Sequence, residues 1–180
     1  AVDSTSRVMA KLPAGDPTDP GTICGPLVSA RQRDRVEGYL RLAIEEGGSF
    51  ALGGGRPDGL DGGFFVQPTL IVGVGNDARV AQEEIFGPVL VVIPFDDDDD
   101  AVALANDSAY GLSGSVWSAD RARAVAVANR IRTGTIGING GLWFSPDVPF
   151  GGYRQSGVGR ESGVAGFEEY LETKSLAEPA

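Results

Sequence analysis

The sequence predicts an α/β fold, a three-layer open sheet with flanking helices, and two observations carry that prediction. Stretches with apolar residues at helical spacing alternate along the chain with short runs rich in β-branched and aromatic residues. Glycine and proline punctuate the junctions, and helices alternating with buried strands are best satisfied by packing the helices against a sheet. With 180 residues, 42% of them hydrophobic, the chain can bury roughly 70% of its unfolded surface, which predicts one compact core.

The elements follow in order. Val2, Thr5, Met9 and Leu12 keep a helical spacing as far as Pro13, and the pattern predicts a helix already under way before Ala1. Gly15, Asp16 and Pro17 open a turn-rich link that runs to Pro26. Ser29 followed three residues later by Gln32 spells a capping box; Val36, Tyr39, Leu40, Ala43 and Ile44 then form one apolar face, and Gly47-Gly48 ends the helix. Strands are predicted over residues 49–52, 64–72, 89–95, 114–117 and 135–139, with Pro68 forcing an edge or a bulge on the second run. Helical patterns cover residues 99–109 and 118–132, a glycine-interrupted helix covers 161–171, and residues 172–177 read as extended.

Composition excludes several functions. A net charge of −10, with 15 Lys and Arg scattered along the chain, repels a phosphate backbone, so no nucleic acid partner is expected. No apolar run reaches the roughly 18 to 20 residues of a membrane span, and no basic region precedes an apolar stretch at the start; a cytoplasmic chain with no membrane partner is expected. The single cysteine cannot form an internal disulfide, which fits a reducing compartment. The absence of histidine removes Ser-His-Asp and Cys-His catalysis and every His-based metal site.

One segment stands out chemically. In Gln82-Glu83-Glu84-Ile85-Phe86-Gly87-Pro88-Val89, Gly and Pro force a turn that can present a carboxylate and an aromatic ring at the mouth of a strand. Such a carboxylate can accept hydrogen bonds from ribose hydroxyls, and such a ring can flank a nicotinamide; the plainer reading of two adjacent acids is solvated loop charge. The five aspartates at 96–100 cannot all converge on one ion, so they predict charge at a helix N-terminus and no metal site. Cys24, within Thr22-Ile23-Cys24-Gly25-Pro26, reads as a small residue in a turn, and Asn106-Asp107-Ser108 as a helix end. Gly53-Gly54-Gly55 and Gly157-Val158-Gly159 lack the strand, spacing and downstream acid of a dinucleotide fingerprint.

Residues 82–89 resemble the cofactor-facing segment of the aldehyde dehydrogenase family. Residues 149–161, PFGGYRQSGVGRE, resemble the family's C-terminal signature; residues 106–118, NDSAYGLSGSVWS, the segment between; and residues 15–32, GDPTDPGTICGPLVSARQ, its entry to the preceding helix. The resemblance covers nearly the whole chain in the family's order. It implies the fold of the family's catalytic domain, with Glu84 holding the nicotinamide ribose, Phe86 contacting the cofactor and Gln32 approaching it. It also implies that Phe150 lines the substrate tunnel and that Leu142, Trp143 and Phe144 shape the aldehyde pocket, although core packing is the plainer role for large aromatics and the capping box already gives Gln32 a local one.

The resemblance further implies NAD or NADP as cofactor, bound mainly by an upstream domain, an aldehyde as substrate, and a homo-oligomer formed through a C-terminal strand at 173–176. In the family a cysteine thiolate attacks the aldehyde, hydride passes to the nicotinamide, and a glutamate-activated water releases the acid. Both that cysteine and that glutamate lie upstream of the part resembled. No catalytic residue is therefore expected within this chain, which reads as a C-terminal portion, inactive alone: residues 1–160 from the catalytic domain, residues 161–180 a terminal helix and oligomerisation strand. The alternative, from a different class, is a stand-alone α/β binding or interaction module without catalysis.

Overall fold

The computed structural model describes residues 1–141 and 144–179. The composition predicts a single core, but the chain divides into two compact units, Ala1–Pro94 and Phe95–Ala180. The division follows the hydrogen bonding, because each unit has its own sheet.

The first unit contains, in order, α1 (Val2–Met9), α2 (Ala30–Glu45), β1 (Ser49–Leu52), β2 (Thr69–Val72), α3 (Arg79–Gln82) and β3 (Val89–Val92). The sheet order is β1-β2-β3, with β1 antiparallel and β3 parallel to the central β2. Pro68 stands just before that central strand and not within an edge strand, so the predicted run 64–72 pairs as a strand only from Thr69. Proline has no N–H to give the ladder, and the irregularity lies in β1 between Phe50 and Leu52. Thr69, Leu70 and Ile71 are fully buried. The buried hydroxyl of Thr69 is satisfied: it accepts from the Gly54 N–H at 3.0 Å and donates to the Gln67 carbonyl at 2.9 Å.

α2 starts where the sequence places it, with the Ser29 hydroxyl accepting from the Gln32 N–H at 3.2 Å. Its buried face is Val36, Tyr39, Leu40 and Ala43, packed with Val66, Ile71, Val74, Val80 and Ile85. Each large aliphatic side chain so buried contributes about 1.5–3 kcal/mol relative to exposure. Ile44, predicted on the same face, is half exposed, since it lies one position past the stripe that meets the sheet. Gly47, with φ of 87°, turns the chain out of the helix, a conformation that suits a residue without Cβ.

The second unit contains α4 (Asp98–Asn106), β4 (Ser113–Val116), α5 (Arg121–Ala128), β5 (Thr135–Ile138), a 3-10 turn at Arg154–Ser156 and α6 (Gly163–Glu168). β4 and β5 are parallel and joined through α5, whose Ala124, Val127 and Ala128 are buried. The predicted helix 118–132 is shorter because Asp120 caps its start, accepting from the N–H groups of Ala122 and Arg123 at 2.9 and 3.2 Å. The aspartate run sits at the N-terminus of α4, as its charge pattern predicts. Asp97 accepts from the Asp100 N–H at 2.9 Å, while Asp98 and Asp99 pair with Arg123 and Arg130 at 2.6 and 2.7 Å. Residues 171–179 adopt neither helix nor strand. Among the described residues no helix is long and apolar enough to cross a membrane.

Candidate functional site

The site at the centre of the first unit is the turn at residues 83–88, between α3 and β3. Its residues alternate in direction. Ile85 is buried in the core beside Val36 and Tyr39, and this anchors the turn. Its neighbours Glu84 and Phe86 therefore face outward, and Phe86 is 73% exposed. The Glu84 carboxylate has no hydrogen-bond or ion-pair partner among the described residues, although its backbone carbonyl accepts from Arg35 at 2.7 Å.

Phe86 adopts φ of 59°, in the left-handed region that a bulky L-residue enters only at a cost of about 1–2 kcal/mol. The compensation comes from Gln32. Its side-chain amide donates to the carbonyl of Ile85 at 3.1 Å and to that of Phe86 at 2.9 Å. The capping box spelled by Ser29 and Gln32 is thus formed only by the serine, because the glutamine amide is engaged 53 and 54 positions further along the chain. Gly87 completes the turn: a Cβ there would lie 2.6 Å from Cγ2 of Val36, so a side chain would drive the turn off α2.

Glu83, the first acid of the pair, faces the other way. Its carboxylate accepts from Arg79 at 2.7 and 3.1 Å and from the Tyr39 hydroxyl at 2.6 Å. The Arg79 hydrogen bonds, and after them that of Tyr39, hold the Glu83 carboxyl down at about 2, and the Glu83 carboxylate pushes the Tyr39 phenol above its ordinary value. Two adjacent glutamates therefore play different parts, one fixed and one presented. The sequence singles out Gln32, Glu84 and Phe86 and the turn made by Gly87 and Pro88, but not Arg35, Tyr39 and Arg79 as the residues that hold that turn. Arg35 and Tyr39 lie three and seven positions after Gln32, one helical face, and that spacing was the available signal.

In the second unit Phe144 and Phe150 come together, with ring centroids 4.9 Å apart and planes tilted by 54°. They line a cavity of about 300 Å³ with Thr135, Pro146, Val148 and Ser162. Phe150 is held by a two-hydrogen-bond bridge to Glu161, each bond 2.7 Å. Leu142 and Trp143, expected beside them, lie outside the described residues. Cys24, expected in a turn, instead forms an isolated parallel β-bridge with Ala14: its N–H donates to the Pro13 carbonyl at 2.9 Å and its carbonyl accepts from Gly15 at 3.1 Å.

Comparison with known proteins gives these features a common origin. The sequence profile of the Aldehyde dehydrogenase family matches residues 1–176. A Staphylococcus saprophyticus protein that bears an aldehyde dehydrogenase name is 47% identical over 169 residues, 93% of this chain and 35% of its own length; one from Staphylococcus haemolyticus is 48% identical over the same span. Among solved structures, an aldehyde dehydrogenase of Mycobacterium tuberculosis complexed with NAD+ is 52% identical with a TM-score of 0.94, covering 99% of this chain and 37% of that one. Betaine aldehyde dehydrogenase of Staphylococcus aureus, in complex with NAD+, is 42% identical with a TM-score of 0.92, covering 96% and 35%. The chain thus spans about a third of the length of the relatives it matches. A profile match over nearly every residue, together with superposable folds at such identities, leaves one assignment: the chain belongs to the aldehyde dehydrogenase family.

Proposed function

We propose that the chain works as the C-terminal part of an NAD(P)-dependent aldehyde dehydrogenase that oxidises an aldehyde to a carboxylic acid. The observation that carries this reading is the turn at 83–88, which ties Glu83 and Ile85 inward and leaves the Glu84 carboxylate and the Phe86 ring outward, two positions apart in sequence and without partners of their own among the described residues. An unpartnered carboxylate suits a pair of ribose hydroxyls, and an exposed ring on a backbone held by Gln32 suits the face of a planar heterocycle. When bound, the nicotinamide takes up the hydride released from the substrate. Glu84 orients the adjoining ribose, Phe86 flanks the ring, and Gln32 fixes both by holding the carbonyls of Ile85 and Phe86. Phe144 and Phe150 form an apolar wall against which the aldehyde is held.

In this reading the attacking cysteine and the general-base glutamate are supplied from upstream of the family segment that this chain matches. Residues 1–160 belong to the catalytic domain and residues 161–180 to the terminal helix and oligomerisation strand. Two experiments test it. In the full-length protein that carries this segment, Glu84→Gln should lower turnover about 100-fold, the effect of a misplacement of about 1 Å, with little change in folding stability because the side chain is exposed. Unchanged turnover with normal nucleotide affinity would overturn the role. The 180-residue chain assayed alone with nicotinamide nucleotide and an aldehyde should produce no reduced nucleotide; steady turnover would place the nucleophile within it, and a cooperative fold that binds a different ligand would favour the stand-alone module.

A further inference from the structure

One face of α2 runs along the whole segment from α3 to the turn. Beyond the end of the helix, the Glu46 carboxylate accepts from the N–H groups of Arg79 and Val80 at 2.9 and 3.2 Å, capping α3, which has no cap of its own. Next along the same face, Tyr39 donates to Glu83 at 2.6 Å; then Arg35 donates to the Glu84 carbonyl at 2.7 Å; then Gln32 reaches the carbonyls of Ile85 and Phe86. The contacts progress in antiparallel order, so the helix acts as a ruler against which the segment is laid. Arg35 also donates to the Tyr39 hydroxyl at 3.2 Å, and its guanidinium lies 5.2 Å from the centre of the Tyr39 ring. The hydroxyl thus joins two arginines, one on each side, through itself and Glu83.

We propose that Tyr39 and Arg79, acting through the Glu83 carboxylate, are positioning residues that set the placement of Glu84 and Phe86. The proposal rests on the reading of those two residues as the nicotinamide-facing pair. Glu83 itself touches no ligand in this scheme. Its carboxylate, at the start of the turn, binds side chains of both α2 and α3, and it immediately precedes the residue whose carboxylate must be placed. Remove either donor and Glu83 keeps only the other; the backbone at Glu84 then loses part of the anchorage on its N-terminal side and rests on Arg35, Gln32 and the buried Ile85.

The test uses the full-length protein and three variants. Tyr39→Phe deletes the hydroxyl while keeping the ring that fills the core, and Arg79→Gln removes the other donor from a largely exposed side chain, so neither depends on the other's folding. In the nucleotide-free protein, amide hydrogen exchange at residues 82 and 83, whose N–H groups donate to the carbonyls of Ala78 and Arg79 at 3.1 and 2.8 Å, should quicken about tenfold in both variants, with the core strand β2 unaffected. In steady state the nucleotide KM should rise and kcat should fall, with a larger primary isotope effect from deuterated aldehyde as hydride transfer becomes limiting. Glu84→Gln is run beside them. If Glu84→Gln slows turnover while Tyr39→Phe and Arg79→Gln leave exchange, kcat and isotope effect at parental values, the positioning proposal is overturned and the cofactor reading stands. If the two variants quicken exchange at residues 82 and 83 but neither they nor Glu84→Gln alter catalysis, the cofactor reading fails and the proposal fails with it. A lowered denaturation midpoint with unaltered exchange and kinetics would mark a purely structural contact and would also overturn it.

Discussion

Gly87 carries a constraint that is easily read past, because glycine beside proline suggests only a turn. The relevant quantity is a distance: with a Cβ 2.6 Å from Val36 Cγ2, Gly87→Ala must either push α2 away or tilt the turn. Overpacking of this kind costs about 1–3 kcal/mol. We expect Gly87→Ala to lower the unfolding free energy by that amount, read as a lower chemical denaturation midpoint at unchanged m, and a midpoint equal to the parent's would show that the turn yields freely. The sequence made Glu84 and Phe86 legible as a presented pair, because a carboxylate and a ring beside Gly-Pro are recognisable as residue types. It could not show that Phe86 stands at φ of 59°, nor that the Gln32 amide holds it there, because those partners are 54 residues apart and their pairing is a product of the fold. Tyr39 was hidden in another way: counted on the apolar face of α2, its ring satisfies the pattern and its hydroxyl goes unnoticed.

At the scale of elements, α2 was readable from cap to terminating glycine, since its apolar period and its serine cap are both local signals. β1 has the predicted limits, residues 49–52. α3 escaped prediction because one turn of four residues has no period to detect, and its cap comes from Glu46, more than thirty positions earlier. The contact of α2 and α3 with the turn also has a titration of its own. The folded Glu83 carboxyl lies at about 2, below its ordinary 4.5, held there first by Arg79 and then by Tyr39. A depressed carboxylate stabilises the folded form fully above the unfolded value and loses that contribution as pH falls through the folded one. Stability attributable to this pair should therefore be present above about pH 4.5 and vanish on acidification toward about pH 2. Since the pair is partly solvated, water screens the effect and keeps it small. Comparing acid unfolding of the parent with that of Glu83→Gln checks this: the variant's curve should be flatter across that window, and identical acid limbs would refute the linkage.

At the scale of the whole molecule, composition and length suggest one core, and the chain instead divides into two units, each with its own sheet. The terminal stretch was read as extended and adopts neither helix nor strand, with Tyr170 and Leu176 more than four-fifths exposed. Apolar side chains displayed on a free segment are what a strand-pairing partner would cover. Deleting residues 172–180 from the full-length protein should shift its mass in light scattering to a smaller species, and an unchanged mass would refute the assignment of that segment to oligomer contacts. The contact between Gly87 and Val36 has a consequence of another kind, in inheritance. Two positions 51 apart in sequence share a single small volume, so a lineage that gains a side chain at one must give up atoms at the other. Substitutions at 36 and 87 should therefore be inherited as linked pairs, and a shuffled enzyme that takes α2 from one relative and the turn from another will fold well only where the donors happen to agree on how that volume is divided.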